Sequence, residues 1–118
     1  MQLCDYLRVP YLLEARLVEL SPGVWINRVS YPELGDCAAE SATLEAALWQ
    51  LERQRVLTIV GMLDEGKVPT VPRPPLGSSD PIWTAEQSNV PPGIVARIRV
   101  AMESGRSVTP DGASPSAT

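Results

Sequence analysis

The amino-acid sequence predicts an α+β domain in which a three-stranded antiparallel sheet is covered by one long helix, with a proline-rich C-terminal extension. Two runs of alternating apolar and polar residues flank a Ser-Pro-Gly turn near the N-terminus, which is typical of a hairpin. Apolar residues then recur at steps of three and four over residues 43–65, which indicates a helix. Nine of the 12 prolines lie after residue 66. A fourth strand is an open alternative.

The first two predicted strands cover residues 11–20 and 24–31. The alternation in the first is that of a half-buried strand. In the second, Trp25, Val29 and Tyr31 share a face with Asn27; the pattern alone leaves either face as the core side, and the large aromatic residues favour this one. Proline cannot donate to a sheet ladder, so the second strand ends at the Tyr-Pro step, and residues 37–40 follow as a third strand.

The long helix is predicted over residues 43–65. Ser41 or Thr43 can cap its first turn, and Gly66 suits the position just after its last turn. Trp49 lies off the apolar stripe, and is either the edge of the core or an exposed contact. The apolar stripe consists of Leu44, Ala47, Leu48, Leu51, Val56, Ile59, Val60 and Leu63.

The chain divides into three predicted segments. Residues 1–75 form the αβ domain, within which the proline-rich residues 68–75 are extended and lie along the domain surface. Residues 76–106 form a linker and a short helix that begins at Pro91-Pro92. Residues 107–118 are rich in Ser, Pro, Ala and Gly, which predicts a disordered tail.

Composition narrows the function classes. The formal net charge of −4 disfavours binding to the nucleic-acid backbone and favours binding to basic proteins. Mild acidity can also serve only to keep the protein soluble. The two cysteines lack metal-ligand spacing, and Cys37 is interpreted as a small buried residue. We expect no metal and no cofactor. With no apolar run approaching about 20 residues, we expect no membrane segment and a cytoplasmic protein.

Catalysis is not expected from these residues. The chain contains no histidine, which removes Ser-His and Cys-His machinery and most zinc sites. Glu33, Asp36 and Glu40 are close enough in sequence to form a metal-binding carboxylate cluster of the kind that nucleases use. They flank a turn and a strand end, however, where acidic residues are ordinary solvated surface. We therefore interpret the protein as a binding module rather than an enzyme.

Three short motifs in a fixed order carry a family resemblance. They are Gly-Val-Trp-Ile in the hairpin, Tyr-Pro-Glu-Leu-Gly-Asp-Cys in the following turn, and Thr-Leu-Glu-Ala-Ala-Leu at the helix start. Together they resemble the HicB antitoxin family over residues 11–75. Two positions depart from the family pattern: Gly35-Asp36 stands where the family has Pro-Gly, and Ala46 stands where it has Glu.

The resemblance implies a truncated ribonuclease H-like domain that neutralises a small basic mRNA-cleaving toxin, HicA-like, by covering its active surface. On this hypothesis the partner contacts are Glu33, Leu34, Asp36 and Glu40, with Leu34 as the apolar anchor and plain solvated surface as the alternative. A homodimer or higher oligomer is also expected.

Family members often carry a DNA-binding C-terminal motif. Here the sequence predicts one downstream helix, whose Arg97 and Arg99 point to different sides, so direct DNA binding is not expected. Two alternatives remain open: a DNA-associated regulator that acts as an oligomer, and a vestigial metal-dependent nuclease.

Overall fold

The computed structural model describes residues 1–107 and contains three strands and four helices in that range. The predicted disordered tail lies outside the described residues from position 108 onward. No helix within residues 1–107 is long and apolar enough to span a membrane. The elements are α1 Leu3–Leu7, β1 Glu14–Ser21, β2 Val24–Ser30, β3 Ala38–Ser41, α2 Leu44–Asp64, α3 Pro81–Gln87 and α4 Pro92–Ser107.

The three strands form an antiparallel sheet in the order β1-β2-β3, which confirms the predicted hairpin and third strand. Gly23 closes the hairpin with φ of 79°, a backbone conformation that a residue with a Cβ adopts only under strain. Val29 lies opposite Ala15 on one side and Ala39 on the other, and its side chain is completely buried. This register places Val29 at the centre of the face that packs against the long helix.

Helix α2 confirms the prediction of one long helix covering the sheet. The Thr43 hydroxyl oxygen accepts a hydrogen bond from the Ala46 backbone N–H at 3.2 Å and caps the first turn. Gly66 follows the last turn with φ of 76°. The helix packs on β2 and β3, and its buried apolar side chains are Ala47, Leu51, Val56, Ile59 and Val60.

The prediction of a half-buried first strand was wrong. Helix α2 covers β2 and β3, and β1 lies beyond it, so both faces of β1 are open. Leu13 is 46% exposed and Leu17 is 62% exposed, although alternation puts them on the same side as Val29. Trp25 is also half exposed, because the hairpin end of β2 extends past the buried part of the face.

Helices α1, α3 and α4 form a second packing region beside α2. Helix α1 contacts α2 and α4, and α3 contacts α2 and α4. Their buried side chains belong to the same core as those of the sheet. Neither α1 nor α3 is predicted as a helix from the sequence. The buried residues that these elements and the α3–α4 turn add to the core are Cys4, Tyr6, Leu7, Ala85, Val90 and Ile98.

Residues 68–75 contact the segment that precedes β1. The Tyr11 hydroxyl donates to the Thr70 carbonyl oxygen at 2.7 Å. Arg73 donates to the Pro10 carbonyl oxygen at 3.3 Å, and the Leu76 backbone N–H donates to the Arg8 carbonyl oxygen at 2.9 Å. These bonds hold the proline-rich segment beside residues 8–11.

Candidate protein-binding groove

The turn before β3 places two of the four predicted contact residues in intramolecular contacts. Leu34 ends a short 3-10 turn, Pro32–Leu34, and is only 4% exposed because its side chain joins the core. A partner could reach it only if this turn opened. Glu33 accepts two hydrogen bonds from Arg73, at 2.8 and 3.2 Å, and one from the Leu12 backbone N–H at 2.7 Å. Arg73 and then Leu12 hold the pKa of the Glu33 carboxyl below its ordinary value.

The other two predicted residues are exposed. Glu40 forms an ion pair with Arg28 across the β2–β3 pair, and Asp36 lies in the turn next to Gly35. Within residues 1–107, no group of three His, Cys, Asp or Glu side chains is arranged to hold a metal ion. Glu33 and Glu40 therefore already neutralise arginines of their own chain, and Asp36 is the carboxylate of the turn that remains open to a partner.

An apolar groove lies elsewhere, along the first half of α2. It has a volume of about 550 Å³ and is open to solvent. Its floor and one wall come from three consecutive turns of α2, and the opposite wall comes from α3. The lining residues are Leu44, Glu45, Leu48, Trp49, Glu52 and Trp83.

Two tryptophans meet in this groove. The ring centroids of Trp49 and Trp83 are 5.9 Å apart at an interplanar angle of 65°, an edge-to-face contact of the favourable kind. Trp49 is partly buried, so it combines the two interpretations that the sequence left open. Trp83 remains 54% exposed. An exposed indole beside an apolar groove is unusual for a surface that contacts only water.

The start of α3 fixes the position of Trp83. The Asp80 carboxylate accepts hydrogen bonds from the backbone N–H groups of Ile82 and Trp83, both at 3.1 Å. Pro81 occupies the first helical position and is buried. An Asp-Pro step of this kind is a helix-start signal, and it is the feature of the sequence that could have revealed α3 and hence this groove.

Two carboxylates line the groove, and an arginine neutralises one of them. Glu52 accepts from Arg55 at 3.1 and 3.2 Å and from the Tyr31 hydroxyl at 2.6 Å, so its position is fixed. Burial, together with the negative charge of Glu52, raises the pKa of the Tyr31 hydroxyl, which therefore stays a donor. Glu45 is exposed and forms no ion pair with any side chain in the described part of the chain.

Helices α3 and α4 form a second arrangement of functional interest. They pack against each other through a turn of four residues, 88–91, in which Asn89 has φ of 59°. Ala85, Val90 and Ile98 are buried at this junction. Two helices joined by a short turn with a left-handed residue are the elements of a helix-turn-helix. The expectation of a single downstream helix was therefore wrong.

The charges on α4 are largely neutralised within the chain. Arg97 donates to Asp64 at 2.7 and 3.1 Å, which lowers the pKa of the Asp64 carboxyl. Arg99 donates to Glu86 at 3.2 Å. The surface of α4 around Arg97 and Arg99 is consequently far less basic than these two residues suggest.

Comparisons with known proteins return no match. No protein-family model fits the chain, and no curated protein and no solved structure is significantly similar to it.

Proposed function

We propose that the protein is a HicB-like antitoxin, a protein-binding module that neutralises a small basic mRNA-cleaving toxin by covering its active surface. The three-stranded antiparallel sheet followed by one long helix supports this proposal, because the sequence resemblance implies elements in that order. The net charge of −4 suits a basic partner.

The observation that carries the proposal is the groove lined by Trp49 and Trp83, with the carboxylate of Glu45 beside it. Tryptophan is enriched at the energetic centre of protein interfaces, where a pocket excludes water from its indole ring. Glu45 lies beside the apolar lining and has no ion pair within the described residues, so a lysine or arginine of a partner can approach it while an apolar side chain packs in the groove against Trp49 and Trp83. We therefore assign the partner contact to this groove, with Asp36 as a second acidic contact.

Co-expression with the short basic protein of the neighbouring reading frame tests the proposal. We expect the two chains to co-purify and the antitoxin to suppress growth arrest. Trp83→Ala and Glu45→Arg should each weaken the complex at least about tenfold, since contacts at the centre of an interface are worth about 2 kcal/mol or more.

Two matched variants serve as controls. Trp25→Ala removes an exposed tryptophan that does not line the groove, and Gln50→Arg adds a positive charge on α2 outside the groove. Both should leave the affinity within about threefold of the parent, which is about 0.7 kcal/mol. The proposal fails if the basic protein neither co-purifies nor loses toxicity.

A second candidate function is sequence-specific DNA binding by the α3–α4 unit. The packed helix pair with its Asn89 turn is the observation that favours it, and α4 would be the helix that enters the major groove. A fragment from upstream of the protein's own gene should then shift in an electrophoretic assay, and the affinity should fall steeply with salt.

Separate variants distinguish the two candidate functions. Ala96 is exposed on α4, so Ala96→Glu adds a negative charge where the DNA backbone would approach and should abolish the shift. Glu45→Arg lies on α2 and should leave DNA binding intact while weakening the protein complex. A shift that survives Ala96→Glu unchanged argues against DNA binding through α4.

A further inference from the structure

The outer edge of β1 is the most unusual surface of the described residues. Strand β1 has eight residues, is the longest strand of the sheet, and pairs only with β2 within residues 1–107. Natural proteins protect such edges with prolines, charged side chains, bulges or short strands. Strand β1 contains no proline, its irregularity lies at the hairpin end, between Glu19 and Ser21, and the charged residues Glu14 and Arg16 of this strand have opposite signs, so that a second strand can pair with both. The regular part of the edge is therefore open to another strand.

The α2 side of β1 carries an uncovered apolar row. Ala15 lies opposite Val29, so Leu13, Ala15 and Leu17 follow one another on the face that α2 covers only over β2 and β3. All three side chains are exposed. A strand added at this edge would place apolar side chains directly beside them.

The opposite face contains an unbalanced charge. Arg16 lies directly across from Arg28, and like charges at such positions destabilise a strand pair. Arg28 is neutralised by Glu40 on β3. Arg16 has only Glu14 of its own strand, at 4.0 Å, and its side chain is 72% exposed. A strand added beside β1 would therefore be favoured if it placed a carboxylate opposite Arg16.

We propose that two copies of this chain associate through antiparallel pairing of their β1 strands, with Ala15 of one copy opposite Ala15 of the other. Glu14 of each copy then lies across from Arg16 of its partner copy, which forms two reciprocal ion pairs. Leu13 of each copy lies across from Leu17 on the other face. The two three-stranded sheets join into one continuous sheet.

Charge selects this register over its neighbours. A two-fold axis perpendicular to the sheet keeps the faces of both copies aligned, so each possible register has one residue at its centre. Centring on Glu14 or on Arg16 places like charges directly opposite each other. Centring on Leu17 puts Arg16 opposite Val18 and leaves its charge unpaired. Centring on Ala15 pairs both charged residues beside the axis, Glu14 and Arg16, with an opposite charge of the other copy.

The assembly closes after two copies. The pairing uses the same edge of both protomers, so it is isologous and leaves only the two β3 edges outside. Strand β3 has four residues, too short to favour continued addition. A dimer is therefore expected rather than a filament.

A charge-exchange experiment on the full chain tests this proposal. Analytical ultracentrifugation of the wild type should show a monomer–dimer equilibrium with a dissociation constant below about 1 mM. Glu14→Arg and Arg16→Glu should each raise the dissociation constant about tenfold or more, because each creates two like-charge pairs across the axis.

An equimolar mixture of the two single variants should dimerise with an affinity within about threefold of the wild type, because opposite charges face each other again at both positions. The double variant Glu14→Arg/Arg16→Glu should also recover. Circular dichroism of each variant checks folding. A wild type that stays monomeric, or a mixture no tighter than the single variants, overturns the proposal.

Cysteine cross-linking tests the register separately. The two natural cysteines are buried, so their background reactivity is low. Under mild oxidation Ala15→Cys should cross-link efficiently, since the introduced thiols face each other across the axis. Val18→Cys should cross-link at least about tenfold more slowly, because the introduced cysteines of the two copies lie several residues apart along the paired strands. Preferential cross-linking through Val18→Cys would refute the Ala15-centred register.

Dimerisation and partner binding can fail independently. The dimer needs no second gene product, and Glu45→Arg should leave it unchanged because that residue lies on α2. Conversely, Arg16→Glu should retain the basic partner at the groove. Loss of one property therefore does not count against the other.

Discussion

A buried arginine on α2 gives the sharpest stability prediction. Arg55 is 7% exposed, in a helix position that packs between the sheet and α1. Its Nη1 donates to the Leu7 carbonyl oxygen at 2.7 Å, and Nε and Nη2 donate to the two carboxylate oxygens of Glu52. Tyr31 donates to the same carboxylate. One side chain thus connects α1, α2 and the end of β2.

The magnitude follows from what each replacement leaves behind. Arg55→Met keeps the length and apolar contacts of the stem, but leaves the Leu7 carbonyl oxygen without a donor and the Glu52 carboxylate with the Tyr31 hydroxyl alone. Water can reach Glu52, whose side chain is 24% exposed, so we expect a loss of about 2–3 kcal/mol rather than the upper end for a broken buried pair. Glu52→Gln keeps the buried guanidinium against a neutral amide and should cost about 2–4 kcal/mol.

The double variant separates the pair interaction from the rest. Once both charges are removed no buried ion is left unpaired, so the combined loss should fall short of the sum of the single losses by about 1–2 kcal/mol. Urea denaturation followed by far-UV circular dichroism measures all four species, and the melting temperature should fall about 4–8 °C per kcal/mol. Additivity within about 0.5 kcal/mol, or a neutral Arg55→Met variant, would refute the reasoning.

Three further predictions concern the core, the proline-rich segment and the thiols. Leu51 is completely buried between α2 and the sheet, so Leu51→Ala should lower the free energy of unfolding by about 2–5 kcal/mol in urea titrations, whereas a near-neutral result would contradict the assigned packing. The lowered pKa of Glu33 means that its contact with Arg73 stabilises the fold above its ordinary pKa of 4.5 and loses that effect as pH falls through the lower folded value. Thermal melts should therefore separate wild type from Glu33→Gln at pH 7 and converge at acidic pH; a constant difference would show that charge is not the cause. Burial raises the pKa of the Cys4 and Cys37 thiols, so both should react slowly with a thiol reagent in native buffer and rapidly in denaturant, and fast native reaction would contradict their placement.

Local periodicity was sufficient for the main elements of the fold. Helix α2 has six turns of recurring apolar residues, a capping Thr43 and a terminal Gly66, so pattern, cap and stop signal agree. The hairpin and third strand were likewise fixed by alternation and turn residues. The interpretation of Cys37 as a small buried residue is confirmed by its 3% exposure.

The burial of β1, the existence of α1 and the position of Leu34 could not be predicted from the sequence, because each depends on which surfaces pack together in three dimensions. Alternation in β1 predicts one apolar face, but only the lateral position of α2 decides whether that face is covered. Helix α1 has five residues, too few to show a period, and it is stabilised by tertiary packing of Cys4, Tyr6 and Leu7. Leu34 reads as an exposed turn residue, yet the 3-10 turn directs it into the core.

The two halves of α2 have different surroundings, so one helix can both stabilise the fold and line the groove that we propose as the binding site. Its second half is joined to α1 through Arg55 and to α4 through Asp64, and Val56, Ile59 and Val60 are buried there. Its first half has the sheet on one side and Trp83 of α3 across the groove on another, which leaves Leu44 47% exposed and Leu48 in the lining of the groove. Because both halves belong to one continuous helix, the buried second half keeps the first half helical. The groove can therefore stay open to solvent while the domain remains folded. A partner that fills the groove would therefore bind a preformed surface, and its affinity would not have to offset the ordering of a flexible segment.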